Sequence, residues 1–483
     1  MMKPLNRREM LCCASGLFAA ATARAQTPAP VISPIMTRLS TYMSEAAARG
    51  LPDGVVEKTK HMIVDTLAAM ISGSELPPGR FAINFARAYK GDRIATVVGS
   101  NILCGPMEAA LANGMLAHSD ETDDTHPPSM SHPGCSTIPA ALAAGERFNI
   151  SGRQFLRAVA LGYDIGTRVT ATLGRLEYMS DTHRSTHAIC GTFAAAAAAG
   201  CAANLNTRQM RWLLSYTAQQ ASGTAAWQRD TDHIEKAFDF AGMPARNGVT
   251  SALLVQAGGT GVEDIFSGAD NFFDAFQPKN DPAMVIDKLG ERYEITRTNI
   301  KKWTVGSPIQ APLDALESLM KKNRFQADQV KQIIVRVATN EAKVVDNREI
   351  PDICMQHMLA VMLIDTTASF KSAHDLARMK DPEILRQRAK VQLVGDQELE
   401  RLMPRRVGMV EVTLNNGMRF SERVDNVRGT AENPMPREEV IAKARDLITP
   451  VLGAATFHKL IDKVFDIENA KSVLELRPLL QKS

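Results

Sequence analysis

The chain has no C-x-x-C pair, no glycine-rich phosphate loop and no internal repeat, and beyond its first thirty residues no apolar run long enough to cross a bilayer. Each absence removes a class of protein. Without paired cysteines, a zinc ribbon or an iron–sulfur cluster has no framework, so the chemistry is expected to be metal-free and to use no cofactor. Surplus charge is missing too. The 56 Lys and Arg residues nearly balance 53 Asp and Glu, so no overall field draws the protein to nucleic acid or to an anionic membrane. An anionic partner has to be recognised locally.

What is present is a chain of 483 residues, 45% of them hydrophobic, enough for two domains or for one domain with a large insertion. Its opening, MMKPLNRREMLCCASGLFAAATARAQ, carries paired Arg7 and Arg8, an apolar run from Met10 to Ala23 and a small-residue site at Ala23-Arg24-Ala25. That order of features is a twin-arginine export signal over residues 1–25. About fifteen apolar residues fall short of the roughly twenty a bilayer core requires, so removal is expected rather than anchoring. The mature protein is then expected in a bacterial periplasm with no membrane contact. Five cysteines remain, Cys104, Cys135, Cys190, Cys201 and Cys354, and the odd number leaves at least one thiol unpaired. Burial in apolar surroundings is the simplest account of them.

The spacing of apolar residues predicts a mainly α fold, a large all-helical domain with an inserted α+β lid domain. From Ile35 to about Gly258 helical patterns follow one another. Asp53 is expected to cap a helix with its stripe at Val56, Met62, Ile63, Leu67 and Met70, and Ser151 with Gln154 forms a capping-box pattern. The almost uncharged run from His187 to Leu205 reads as a helix buried on all sides. After Gln277 the pattern changes. Val330 to Thr339 reads as a strand, and Val407 to Val424 as a hairpin turning at Asn415, Asn416 and Gly417. The expected division is a helical domain over 33–277, an α+β lid over 278–433, and a helical return over 434–483.

The densest chemistry lies between Ala117 and Gly134, AHSDETDDTHPPSMSHPG, which holds four carboxylates and three histidines. A solvated acidic turn is the plain reading of such a run. Here both flanking segments, EAALANGML and TIPAALAAGE, read as buried helices, and carboxylates held against a core must find partners or shift their pKa values. That favours a functional site.

The same loop with its flanks, NGMLAHSDETDDTHPPSMSHPGCSTIPAALAAGE, resembles the signature of the MmgE/PrpD family. GYDIGTRV, CGTFAAAAAAG and AGMPARNGVTSALLVQAGGTGVEDIF resemble further blocks of that family, and the likeness covers nearly the whole mature chain. The resemblance implies a metal-free homodimer that moves a proton at a carbon beside a carboxylate. 2-Methylcitrate dehydratase, cis-aconitate decarboxylase and an epimerase of an imino-dicarboxylate are among the activities of the family. It also implies roles. His132 matches the His-Pro histidine of proton transfer, with Glu121, Asp123 and Asp124 as its acidic neighbours. Thr125 and His126 complete the loop. Lys236 falls near the family's lysine, with one residue more than usual before Gly242. Where a histidine is common, Ser185 stands, and His187 two residues later is the candidate second acid or base. Gln310 stands where the lid histidine is expected.

Arg184, Arg229, Arg246 and Lys302 are further candidates to hold substrate carboxylates, a task for which a planar Arg fork is suited. For each cation an ordinary surface position is the competing reading, and for His132 a structural bond to the adjacent carboxylates is. The expectation is a lyase or isomerase of a small di- or tricarboxylate, with His132, Asp123, Asp124, Glu121, His187 and Lys236 in the chemistry. Thr125, His126, Arg184, Ser185, Arg246, Lys302 and Gln310 are the expected substrate contacts. The alternatives are an epimerase without elimination and a non-catalytic polycarboxylate-binding protein.

Overall fold

Helices dominate the structure because the apolar positions recur at helical spacing, and alanine lets those helices approach closely. The computed structural model describes residues 32–277 and 279–482, so the expected leader at 1–25 lies outside the described residues. In the larger body α1 (Asp53–Gly73), α2 (Pro106–Ala117), α3 (Gly134–Phe148) and α4 (Gly152–Thr172) are followed by α5 (Thr186–Ala202) and α6 (Met243–Gln256). Helix α5 is the centre of this body, packed against α3, α4 and α6, and every one of its residues except His187 is buried. Close approach is built into the sequence. A Cβ on Gly166 would sit 2.5 Å from the Cys190 carbonyl oxygen, and one on Gly114 would sit 2.6 Å from that of Ala241. Added bulk at such contacts costs about 1–3 kcal/mol.

Ser151 caps α4 through its hydroxyl, which accepts the Gln154 N–H at 3.3 Å. Asp53 does not cap α1. It is the first helical residue, behind Pro52, and its side chain makes no capping bond. Its carboxylate still lies at the positive end of the helix.

A second hydrophobic core draws on residues 303–414. It is built by α7 (Ser307–Asn323) and a four-stranded sheet of β1 (Val330–Ala338), β2 (Val391–Asp396), β3 (Gly408–Leu414) and β4 (Arg419–Val424), in the order β2-β1-β3-β4. Strand β1 pairs parallel with β2, Ile333 opposite Val391, and antiparallel with β3, Ile333 opposite Val412. The hairpin β3–β4 turns through Gly417 at φ 86°, a left-handed conformation that suits glycine. Strand β2 has no counterpart in the sequence reading, because its burial does not alternate cleanly.

The chain then returns to the first core in α8 (Arg437–Phe465), which is broken at Gly453 (φ 79°) and packs against α1. Among the described residues no helix is long and apolar enough to cross a membrane, and Cys104, Cys135, Cys190, Cys201 and Cys354 are all buried free thiols.

Candidate active site

Helix α2 ends at His118 and α3 starts at Gly134, so the polar loop is clamped between two buried helices. Asp123 is its hub. The carboxylate is fully buried, with Oδ2 3.0 Å from His118 Nδ1 and Oδ1 3.2 Å from His132 Nδ1. Burial by itself would raise this carboxyl, but the two imidazoles outweigh burial and hold it well below the usual carboxylate range. An ionised carboxylate only accepts hydrogen bonds, so His132 donates through Nδ1 and keeps the lone pair on Nε2. Burial pushes His132 down to about 4, which leaves the ring neutral at physiological pH and free to take a proton. The side chain is 11% exposed, enclosed but not sealed.

Phe240 organises the remaining rings. It stacks on His118 with centroids 4.5 Å apart and on His187 at 3.8 Å, and the His132 and His187 rings lie 5.2 Å from each other. Burial, followed by the neighbouring His132 and His118, holds His187 well below its ordinary value, so it too is neutral. Trp227 stands edge-on to His187 at 5.5 Å and to Phe240 at 4.6 Å. Between Lys236 and Gly242 the helix makes a π-helical turn over Phe238–Gly242, which carries Phe240, the ring set against the histidines.

Cations reach the loop from four distant parts of the chain. Lys236 binds Glu121 directly, and Lys301 donates to the Glu121 carbonyl at 2.7 Å while lying 3.7 Å from Asp123 Oδ1. Against the upward push of burial, Lys236 and Lys301 hold the Glu121 carboxyl well below its usual range. Lys443 of α8 donates to the Thr122 carbonyl at 2.9 Å and pairs with Asp65 of α1 at 2.6 Å. From the second body His374 meets Asp120 at 2.9 Å. Its burial is outweighed by that carboxylate, which lifts the imidazole to about 9. Asp352, 3.9 Å from His374, is pushed up to about 7 by burial and by Asp120 and Glu121.

Several expected residues turn elsewhere. Asp124 faces the helices rather than the histidines. It accepts from Tyr163 Oη at 2.5 Å and from the Gly134 N–H at 3.1 Å, and burial with the Asp123 charge raises it to about 7. His126 bonds Ser129 and Glu294, and Thr125 forms a backbone bridge with Asn299. Lys302 points away from the loop, onto Glu317 at 2.6 Å and over the Trp303 ring; its neighbour Lys301 is the one that faces in. Gln310 is buried in bonds to the Trp303 backbone and the Val305 carbonyl. Ser185 caps α5 and donates to Asp239 at 2.5 Å, Arg184 stacks on Phe276, and Arg246 and Arg229 lie at the surface. His187, Lys236 and His132 therefore come together with Glu121 and Asp123, whereas the expected carboxylate contacts do not join them.

The loop's sequence resemblance is matched over the length of the chain. The MmgE/PrpD N-terminal domain family matches residues 37–285 and the MmgE/PrpD C-terminal domain family matches residues 303–467. The chain belongs to the MmgE/PrpD family. It is similar to a cis-aconitate decarboxylase-like protein, oryM, of Aspergillus oryzae, 24% identical over 479 residues that cover 92% of this chain and 97% of that protein. It is also similar to the cis-aconitate decarboxylases of Aspergillus terreus (24% identical, 93% of this chain and 96% of that one) and Homo sapiens (25% identical, 89% and 91%). Within this family member the loop from His118 to His132 is the part of the fold where titratable groups converge.

Among the described residues two sets of donors are close enough to hold a metal ion: His118, Glu121 and His233, and His118, Asp123 and Cys135. Neither is well suited to one. A cation at the first would stand beside the fixed charges of Lys236 and Lys301, and in the second the Cys135 thiol is pushed well above its ordinary value, chiefly by burial.

Proposed function

We propose that this protein is a metal-independent lyase of a small di- or tricarboxylate that works by proton transfer at a carbon next to a carboxylate. The observation that carries the reading is the enclosed His132 ring, held through Nδ1 at 3.2 Å by the buried Asp123 carboxylate, with Lys236 and Lys301 bound to the same loop. In the forward step Nε2 of His132 takes the proton of the substrate carbon, and the electron pair moves toward the adjacent carboxylate as enolate-like charge. Lys236 and Lys301 stand where that charge and the remaining carboxylates need cations, and enclosure strengthens their effect. In an elimination His132, now protonated, hands that proton to the leaving hydroxyl, with the His187 ring 5.2 Å away to relay it; in a decarboxylation the electron pair is released by loss of carbon dioxide instead of by proton abstraction, and the histidine pair delivers one solvent-derived proton to carbon. Glu121 serves by holding both lysines in place rather than as the base, because the two ammonium groups engage its oxygens and hold its carboxyl well below the usual range, which makes it a poor proton acceptor.

The names of the relatives favour a tricarboxylate such as cis-aconitate, and we take export to a periplasm and pairing into a homodimer as parts of the same proposal. The test is an NMR screen of citrate-like, aconitate-like and aspartate-derived acids in D₂O, reading products and exchange together. Turnover or exchange of at least one acid, lost in His132→Gln, is the expected result. Binding of an acid with neither turnover nor exchange would instead make the protein a polycarboxylate-binding scaffold.

A further inference from the structure

A cavity of about 370 Å³ lies between the two bodies, lined by residues of the polar loop (Thr125, Pro127), of the segment Asn299–Lys301, of the start of α7 and of the stretches 402–406 and 425–432. His132, His187 and Lys236 take no part in its wall. The Thr125–Asn299 pairing lies along its inner edge. Thr125 donates its N–H to the Asn299 carbonyl at 3.1 Å and accepts the Asn299 N–H at 2.7 Å, so the bridge is two-way.

The wall is markedly cationic. Four arginines, Arg297, Arg405, Arg406 and Arg428, line it with two carboxylates, Asp425 and Glu432, while the Lys301 ammonium is turned away to Glu121. Carboxylates outside the wall engage three of these guanidinium groups, Glu294 with Arg297, Glu341 with Arg406 and Glu439 with Arg428, but a guanidinium has five N–H donors and each pair leaves some free. Arg405 is the least committed. Its one contact, to Asp425, is 3.5 Å long, Asp425 is already held by Arg423 at 3.0 Å, and the Arg405 side chain is 51% exposed. Ser307, at the positive end of the 17-residue helix α7, forms another part of the wall, and no side chain caps that helix end. A volume of this size is in the range of small-ligand sites, and forked guanidinium groups suit planar or tetrahedral oxyanions.

We propose that this cavity is a second binding site, separate from the histidine cluster, for a small multivalent oxyanion of polycarboxylate or phosphate chemistry. It needs no assumption about the reaction. Its position also gives it a route to the cluster, since Lys301, whose ammonium holds Glu121, is part of the same segment that walls the cavity.

The experiment is calorimetric titration of the full chain with citrate and, separately, with inorganic phosphate at low and high salt. Binding is expected to weaken with salt, to fall about tenfold or more in Arg405→Gln with Arg297→Gln, as loss of charge-assisted bonds dictates, and to persist in Lys236→Met. Circular dichroism checks that the variants fold, and Arg405→Gln alone is the milder control. Citrate binding alone identifies a carboxylate site and phosphate binding alone a phosphate site. The proposal is overturned if neither anion binds at millimolar concentration, if the arginine variants bind as the wild type does, or if Lys236→Met abolishes binding.

Discussion

Replacing Asp123 by Asn keeps the shape of the site and removes its logic. The carboxylate receives the His132 Nδ1–H at 3.2 Å, approaches His118 Nδ1 at 3.0 Å and faces Lys301 at 3.7 Å. An amide offers one acceptor oxygen and one donor nitrogen, so it can satisfy the present tautomer of only one of the two rings. If the NH₂ faces His132, that ring must accept through Nδ1 and carry its hydrogen on Nε2, where the substrate proton would have gone. Loss of a positioned general base costs roughly 10²–10⁴-fold in rate, about 3–5 kcal/mol of barrier. The assay is kcat/KM on whichever acid the wild type turns over, with circular dichroism to show an unchanged helix content. A variant within threefold of the wild type would refute the argument that Asp123 sets the His132 tautomer.

Acid should destabilise the fold before it protonates ordinary carboxylates. His132 is held down to about 4 and His233 to about 3, in both cases first by burial, so below their ordinary value near 6.5 the unfolded chain binds protons that the folded chain refuses. Stability is expected to fall as pH drops from 6.5 toward 4, by about 3 kcal/mol from His132 alone, in a urea titration followed across pH. His374 has the opposite sign: its pair with Asp120 contributes fully below pH 6.5 and is lost as pH rises through about 9, so His374→Gln should flatten the alkaline side of the same curve. Lys236→Met is expected to remove activity and Lys302→Met to leave most of it, since Lys302 is occupied by Glu317; steady-state rates of the two variants decide this. Tyr163→Phe strips Asp124 of its hydroxyl donor and should cost about 1–3 kcal/mol in thermal or denaturant unfolding.

The part of the site that could be read from sequence was the part contained in one segment. Four carboxylates and three histidines between two alanine-rich helices announce a loop held against a core, and the structure has it there. What was not legible arrives from far away. Lys301, His374, Asp352, Lys443 and Asp65 reach the loop from both bodies, and nothing local marks a lysine on α8 or a histidine far along the chain as a neighbour of the loop. The choice between Lys301 and Lys302 was equally closed to inspection. The segment before α7 has no regular periodicity, so the facing residue is fixed only when Asn299 pairs with Thr125. Asp124 illustrates the converse, since adjacency to Asp123 suggested a shared task, whereas the chain turns successive side chains to different sides and gives Asp124 to Tyr163. The π-turn at Phe238–Gly242 leaves no mark in the apolar spacing, and only the backbone shows it.

Deuterium entry at the substrate carbon is the most direct probe of the central claim, that an imidazole oriented by Asp123 carries hydrogen to and from carbon. In D₂O the wild type should place solvent deuterium on the carbon beside a carboxylate of the substrate or of its product, and His132→Gln, folded and still able to bind the acid, should place none. Equal deuterium incorporation by the two proteins would contradict the account.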